Sequence, residues 1–209
     1  MRDLVLIGAS GLAREVMAMQ QTGARVIGVL DDDPGLHGHS IGGVEILGGV
    51  ELAGELPGAL TVCVGSGSGR RSVVQRLAAL GVGPERYATV VDDSARLSVN
   101  SLVGAGSIIL AGTVLTADVI VGRHVVLMPN CTLTHDDIVD DFVTLAAGVA
   151  VGGVVRLGEA AYLGMNSSIR QRVSVGAGAT IGMGAVVLSD VPAGQTWAGV
   201  PARELGVRL

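Results

Sequence analysis

The sequence predicts a chain in two parts: a small parallel α/β unit over residues 1–88, then a parallel β-helix built of six-residue repeats over 89–209, ending in a short C-terminal tail. Three observations predict this. An aliphatic residue recurs at every sixth position from Val91 to Val187, strand-like and helix-like segments alternate before Val91, and Phe, Tyr and Trp together number only four in 209 residues.

Before the repeat, LVLIGASG reads as an apolar strand running into a glycine turn, and LAREVMAMQQTG as a helix ending at Gly23. ARVIGVLDDD is a second strand with acids at its carboxyl end. TVCVGSGSGR is a third strand with its own glycine turn, and RRSVVQRLAALG is a second helix. Strands alternating with helices indicate a small Rossmann-like parallel sheet. Such sheets bind ligands at the carboxyl ends of their strands, where glycine turns expose backbone N–H groups to phosphate. The turn Gly8-Ala9-Ser10-Gly11 is a partial dinucleotide fingerprint, because Ser10 and Ala13 stand where glycines would be. Asp31 follows Gly8 at a distance that suits a carboxylate meeting a ribose. Asp31, Asp32 and Asp33 also fit a solvated strand end. Two adjacent carboxylates repel a pyrophosphate, so ribose or base is the better contact for Asp31 and Asp32. Gly65 in the second turn is placed to let backbone approach the same ligand.

In the second part, stepping by six from Val91 meets only Leu, Ile or Val at all 17 positions to Val187. These residues make up 66 of 209, so about five such matches would arise by chance. A period of six suits neither an α-helix nor an unbroken strand. It suits a solenoid in which each repeat gives one short strand and one corner, and three repeats close a triangular coil. Residues 18 apart then stack about 4.8 Å above one another. The fourth residue after each aliphatic is small or β-branched, from Ala95, Ser101 and Ser107 onward, with Asp137 the sole exception. Glycine follows the aliphatic directly at Gly104, Gly122, Gly152, Gly158, Gly164, Gly176 and Gly182. A narrow prism has no room for large rings, which accounts for the missing aromatics.

Composition narrows the function. Apolar content of 49% with a formal charge of −5 excludes disorder. The 14 basic residues are all arginine and are scattered, which gives no basic patch for nucleic acid. Mean hydropathy is +0.57, yet no run approaches the roughly 20 apolar residues of a spanning helix, and the N-terminus lacks a signal-type pattern. Cys63 and Cys131 have no metal-ligand spacing and suit a reducing compartment. The expectation is a cytoplasmic protein with neither nucleic acid nor membrane as partner.

Of four histidines, His37 and His39 fall in a glycine-rich loop, and His124 is expected at the surface. His135, in Leu133-Thr-His-Asp-Asp-Ile138, faces outward with Asp136 beside it. Steps of 18 set it between Ala117 and Gly153, where a groove can form. A second column runs Ala147, Met165, Met183, with Ala146, Gly164 and Gly182 alongside. Its glycines leave backbone accessible to a long thin ligand parallel to the axis, although such corners are glycine-rich on structural grounds too.

LIGASGLAREV, VLDDDP, THDDIVDDF, YLGMNSSI, GAGATIGMGAVV and AGVPAREL together resemble the NeuD/PglD-type sugar acetyltransferases over almost the whole chain. The resemblance implies a left-handed hexapeptide-repeat β-helix, a homotrimer, and acetyl-CoA lying between neighbouring prisms. It implies a sugar nucleotide on the N-terminal domain, contacted by Ser10, Gly11, Leu12, Asp31, Asp32 and Gly65. His135 matches the family's base and Asp136 the acid that raises its basicity. Thr144, Met165 and Met183 match the CoA contacts, with Gly164 and Gly182 beside them. Two positions depart from the family: some members carry a second histidine where this chain has Thr144, and Asp137 stands where a small residue such as Cys is usual.

The expected reaction is direct acetyl transfer to a nucleotide-linked amino sugar, with His135 taking the acceptor's proton. Imidazole titrates near neutrality and suits that role, and Asp136 would fix its tautomer. Alternatives are a sialic-acid-type O-acetyltransferase and a non-catalytic sugar-nucleotide scaffold. No metal is expected: the zinc carbonic anhydrases built on this kind of β-helix need three converging histidines. Here only His124 and His135 lie in the prism, and they are not 18 apart. Cys131, in an interior corner, is no nucleophile.

Overall fold

The computed structural model describes residues 2–19 and 24–206. The N-terminal region is a five-stranded sheet of β1 (Arg2–Ile7), β2 (Ala24–Leu30), β3 (Ser40–Ile41), β4 (Val44–Gly48) and β5 (Ala59–Val62), ordered β3-β4-β2-β1-β5. All pairs are parallel except the β3–β4 hairpin. That hairpin was not among the expected elements; it closes on Gly42 and Gly43, both at positive φ, as two-residue hairpin turns require. Helix α1 (Gly11–Ala18) buries Leu12, Ala13 and Val16. The sequence pattern carries it on to Gly23, but the helix stops at a cap on Met19, and residues 20–23 lie outside the described residues. Helix α2 (Gly67–Ala79) begins at Ser66, whose hydroxyl accepts the Gly69 N–H, the usual way to satisfy a free helix-start donor.

From Val90 the chain winds as a triangular prism whose three faces are parallel sheets. The first face holds Val90–Val91, Ile108–Ile109, Val126–Leu127, Thr144–Leu145, Tyr162–Leu163, Thr180–Ile181 and Thr196–Ala198, with Arg203–Glu204 added antiparallel. The second runs from Arg96–Leu97 to Val186–Val187, and the third from Leu102–Val103 to Ser174–Val175. Pairing through these coils is offset by 18, as in Val114↔Thr132 and Thr132↔Ala150. The stacked sheets are those of a left-handed β-helix.

The repeat has a physical reason at each position. Its aliphatic residues, such as Leu115, Leu133 and Leu145, form the buried axis. The residue before each corner adopts a left-handed backbone at six-residue intervals from Gly106 to Gly184. Gly, Asn and Asp do this at little cost; Phe142 and Val154 do it under strain, held by the coils around them. A Cβ at Gly104, Gly158 or Gly164 would strike backbone of the next coil, so these glycines are packing requirements.

The α/β unit is fused to the prism by a shared core. Leu4, Leu6, Leu12 and Val16 pack with Val90, Ile108, Leu110 and Val126 on the lower first face. Burying one such side chain contributes about 1.5–3 kcal/mol, enough to fix the two parts together. This seam corrects the expectation for His124. It does point outward from its coil, but it is only 5% exposed, with its ring edge-on to Tyr87 and stacked on Phe142. Stacking arithmetic separates outside from inside; it does not show which outside positions another domain covers. No described helix is long and apolar enough to cross a membrane.

Candidate active site

The carboxyl ends of β2, β1 and β5 gather most of the expected nucleotide contacts. Gly8 turns at φ 102° close to the Cys63 carbonyl. Ser10 caps α1: its hydroxyl donates to Cys63 O at 2.6 Å and accepts from Ala13 N at 3.3 Å. Gly11 has open space where a side chain would stand. Leu12 sends its side chain into the core, so only its backbone can face a ligand. Asp31 braces the turn, one oxygen accepting from Ala9 N at 2.7 Å and the other from Asp33 N at 2.9 Å. Gly65, open at its Cβ, accepts at its carbonyl from Arg70 and Thr144. Asp32 is committed elsewhere. It forms a two-point ion pair with Arg76 at 2.6 and 3.0 Å, which holds its carboxyl below the usual carboxylate range.

His135 lies in the turn between Thr132–Leu133 and Ile138–Val139, on the edge where the second face meets the third. Its Nδ1 is 2.7 Å from Asp136 Oδ2, and both side chains are more than half exposed. The carboxylate accepts, so this contact favours the Nδ1–H tautomer and leaves Nε2 as a base. Nε2 stands over Gly153, where a Cβ would collide with the ring. The turn is tied to its neighbours by Asp136 N to Ala117 O at 3.0 Å and Val154 N to His135 O at 2.9 Å. Burial pushes the neighbouring Asp137 carboxyl up to about 6.

A groove of about 820 Å³ lies elsewhere, across the first face from its edge with the third face to its edge with the second. Gly164, Met165, Gly182 and Met183 line it, the methionines 50% and 76% exposed. The first turn of α2 forms one wall, and an Arg71–Glu159 ion pair at 3.0 Å crosses its rim. Thr144 is not in this lining. It sits 4% exposed in the domain seam, where its hydroxyl accepts from Arg70 at 2.9 Å and donates to Gly65 O at 3.1 Å. One chain therefore brings the four groove residues together but leaves His135 on another edge. Burial pushes the thiols of Cys63 and Cys131 up to about 12, which leaves both as inert thiols near neutrality.

Three contributors escaped the reading from sequence. Tyr162 and Thr180 line the groove, and adding 18 to Thr144 twice would have found them. Arg70 is fully buried, and its guanidinium donates to the carbonyls of His124, Val64, Gly65, Phe142 and Val143 as well as to Thr144. It stitches the Gly65 turn to the prism, and nothing in the Arg70-Arg71 pair signals which of the two turns inward.

Residues 3–77 match the PglD N-terminal domain. The chain is 30% identical over 213 residues to a GDP-perosamine N-acetyltransferase of Escherichia coli O157:H7, covering 96% of this chain and 95% of that protein. Other curated relatives are matched in part: the chain spans 34% of a UDP-3-O-acylglucosamine N-acyltransferase of Caulobacter sp. (strain K31), at 28% identity over 58% of this chain. Among solved structures, the acetyltransferase domain of PglB from Neisseria gonorrhoeae FA1090 in complex with acetyl coenzyme A superposes with a TM-score of 0.86 at 31% identity, over 98% of this chain and 99% of that one. PerB from Caulobacter crescentus in complex with CoA and GDP-perosamine does so with a TM-score of 0.88 at 26% identity, over 97% and 96%.

Proposed function

The chain belongs to the NeuD/PglD-type sugar acetyltransferases, and we propose that it transfers the acetyl group of acetyl-CoA to the amine of a nucleotide-linked amino sugar, with His135 as general base. The observation that carries this reading is the His135–Asp136 pair, 2.7 Å apart on an exposed edge, with Nε2 directed over a residue without a side chain.

The residues of the groove suit CoA. Exposed methionines give a polarizable wall for its thin aliphatic arm, and Gly164 and Gly182 keep backbone within reach. Bound there, acetyl-CoA supplies a thioester as the activated acyl donor. At the other end of the site, backbone N–H groups of Ser10, Gly11 and Leu12 open the α1 helix toward a diphosphate, and Asp31 braces that turn beside the ribose. Asp32 stays in its ion pair with Arg76 and takes no part in that contact. As the amine adds to the thioester carbonyl, Nε2 of His135 takes its proton while Asp136 holds the tautomer and stabilises the resulting imidazolium. The C–S bond then breaks and the imidazolium returns the proton to the departing CoA sulfur. Base catalysis of this kind contributes about 10²–10⁴-fold, so orientation supplies much of the rest.

Because His135 and the groove occupy different edges, the complete site is composed between copies. We assign a homotrimer in which the apolar column Leu102, Ile120 and Ile138, beginning beside the His135 corner, is covered by a neighbour; Leu102 is 64% and Ile120 45% exposed in the single chain. The protein is assigned to the cytoplasm, where acetyl-CoA is supplied and both cysteines stay reduced. Replacing His135 by Ala is expected to abolish CoA release with acetyl-CoA and GDP-linked or UDP-linked amino sugars. Sedimentation as a trimer and the melting temperature should stay as in the wild type. Full activity of that variant would overturn the base assignment.

A further inference from the structure

The corner of each coil follows a hydrogen-bonding rule that Asp137 obeys in part and then exceeds. Ser107 donates to Gly122 O at 2.9 Å, fifteen residues on, and accepts from Val125 N at 3.0 Å, eighteen residues on. Ser101 does the same with Thr116 O at 3.4 Å and Val119 N at 3.3 Å. Thr113 and Cys131 donate to Met128 O and Ala146 O in the first of these senses. In this way a small polar side chain inside a corner links its coil to the next.

Asp137, 1% exposed, accepts from Val155 N through Oδ1 at 2.9 Å, which is the eighteen-residue link. Its second oxygen does what no serine or cysteine in this position could do. Oδ2 reaches back three residues and accepts from Thr134 N at 2.9 Å. That N–H also points at Val151 O, at a longer 3.3 Å, so the carboxylate takes the shorter share. The geometry is that of one half of a capping box, an acid three residues on closing the turn that leads to it, while the Thr134 hydroxyl donates to Val151 O at 3.0 Å. The closed turn is Thr134-His135-Asp136-Asp137, with Asp136 at φ 61°.

We propose that Asp137 is a positioning residue for the transfer reaction: its carboxylate locks the turn carrying His135 and Asp136 and registers it to the coil that presents Gly153 and Val155. The proposal rests on the reading of His135 as the base. It explains why the one charged residue in the series of interior corners stands at the one corner that carries the His–Asp pair. A buried carboxylate is costly unless its lone pairs are used, and burial does push this group up to about 6. The two charge-assisted bonds offset that cost and hold backbone on both sides of the imidazole.

The test compares Asp137→Ser with Ser107→Ala. Serine at 137 can restore the link to Val155 N in the manner of Ser107, but it cannot reach Thr134 N. Ser107→Ala removes a corner link far from the His–Asp pair. For Asp137→Ser the expected result is a fall in kcat of about 10- to 100-fold, the scale on which small misplacements act. KM for acetyl-CoA and for the amino sugar should stay within about two-fold, and the melting temperature should fall no further than in Ser107→Ala. In ¹⁵N-histidine NMR spectra, the Nδ1–H resonance of His135 should broaden or shift in Asp137→Ser and stay in place in Ser107→Ala. Unchanged kcat with unchanged His135 resonances would overturn the proposal, as would an equal loss of kcat in Ser107→Ala. The NMR comparison needs no turnover, so it still decides the role of Asp137 if the wild type proves inactive toward amino sugars.

Discussion

Gly153 illustrates how a single residue serves the candidate base. Its backbone lies outside the left-handed region, so conformation alone would accept alanine; the obstacle is the imidazole, since a Cβ would meet Nε2, Cε1 and Cδ2 of His135. Gly153→Ala is therefore expected to fold with a near-wild-type melting temperature and to lose about 100-fold in kcat by displacing the ring. Retained kcat, measured beside the melting curve, would show that the ring has another place to stand. His135, Asp136 and Gly153 were legible in the sequence because the 18-residue stack gives neighbours by arithmetic. Asp32 was not: a carboxylate at a strand end reads alike whether it meets a ligand or Arg76, and the 44 residues separating that pair carry no periodicity that would join them.

At the scale of elements, the seam between α2 and the third-to-first edge of the prism is where charge is buried. Arg70 brings a cation into it that, among the described residues, hydrogen-bonds to carbonyls and one hydroxyl. Burial is the main cause that lowers His124 to about 4, helped by Arg70 and Arg123 and opposed by Asp141. Between about 4 and 6.5 the unfolded chain thus binds a proton at His124 that the folded chain refuses. Stability from this group is present above 6.5 and is lost as pH falls through 4. Asp137 acts in the opposite sense over nearly the same window: raised from 3.8 to about 6, its contribution is present below 3.8 and is lost as pH rises through 6. Comparison with His124→Asn, which suits the left-handed backbone at that position, isolates the histidine. The advantage of wild type over the variant in urea midpoint should grow from pH 4 to pH 6.5. A constant or shrinking advantage would mean that His124 accepts a proton freely in the fold. The seam itself was hidden from sequence reading because α2 shows a helical pattern without revealing which arginine turns inward, and the prism columns show an outer surface without revealing its cover.

For the whole molecule, the β-helix was legible almost completely. Its core repeats at a period set by covalent geometry, and a slip of one residue would turn an aliphatic such as Leu133 or Leu145 outward. The α/β unit was legible in its β1, α1, β2, β5 and α2 order, but not in its β3–β4 hairpin, whose strands of two and five residues are too short to show alternation. The catalytic assembly was legible as parts only. One chain holds His135 on one edge and the groove along the first face, so the proposed reaction, with His135 as its base, requires that copies meet edge to edge.

Subunit complementation tests that requirement most directly. His135→Ala keeps the groove and lacks the base; Thr180→Trp keeps the base and fills the groove. Each should be inactive alone. After the two are unfolded together in equal amounts and refolded, about a quarter of the shared sites in a closed oligomer would pair an intact histidine with an intact groove. CoA release at up to about that fraction of the wild-type rate is expected if the site is shared between copies. Mixed oligomers that form normally and release no more CoA than either parent would contradict a shared site.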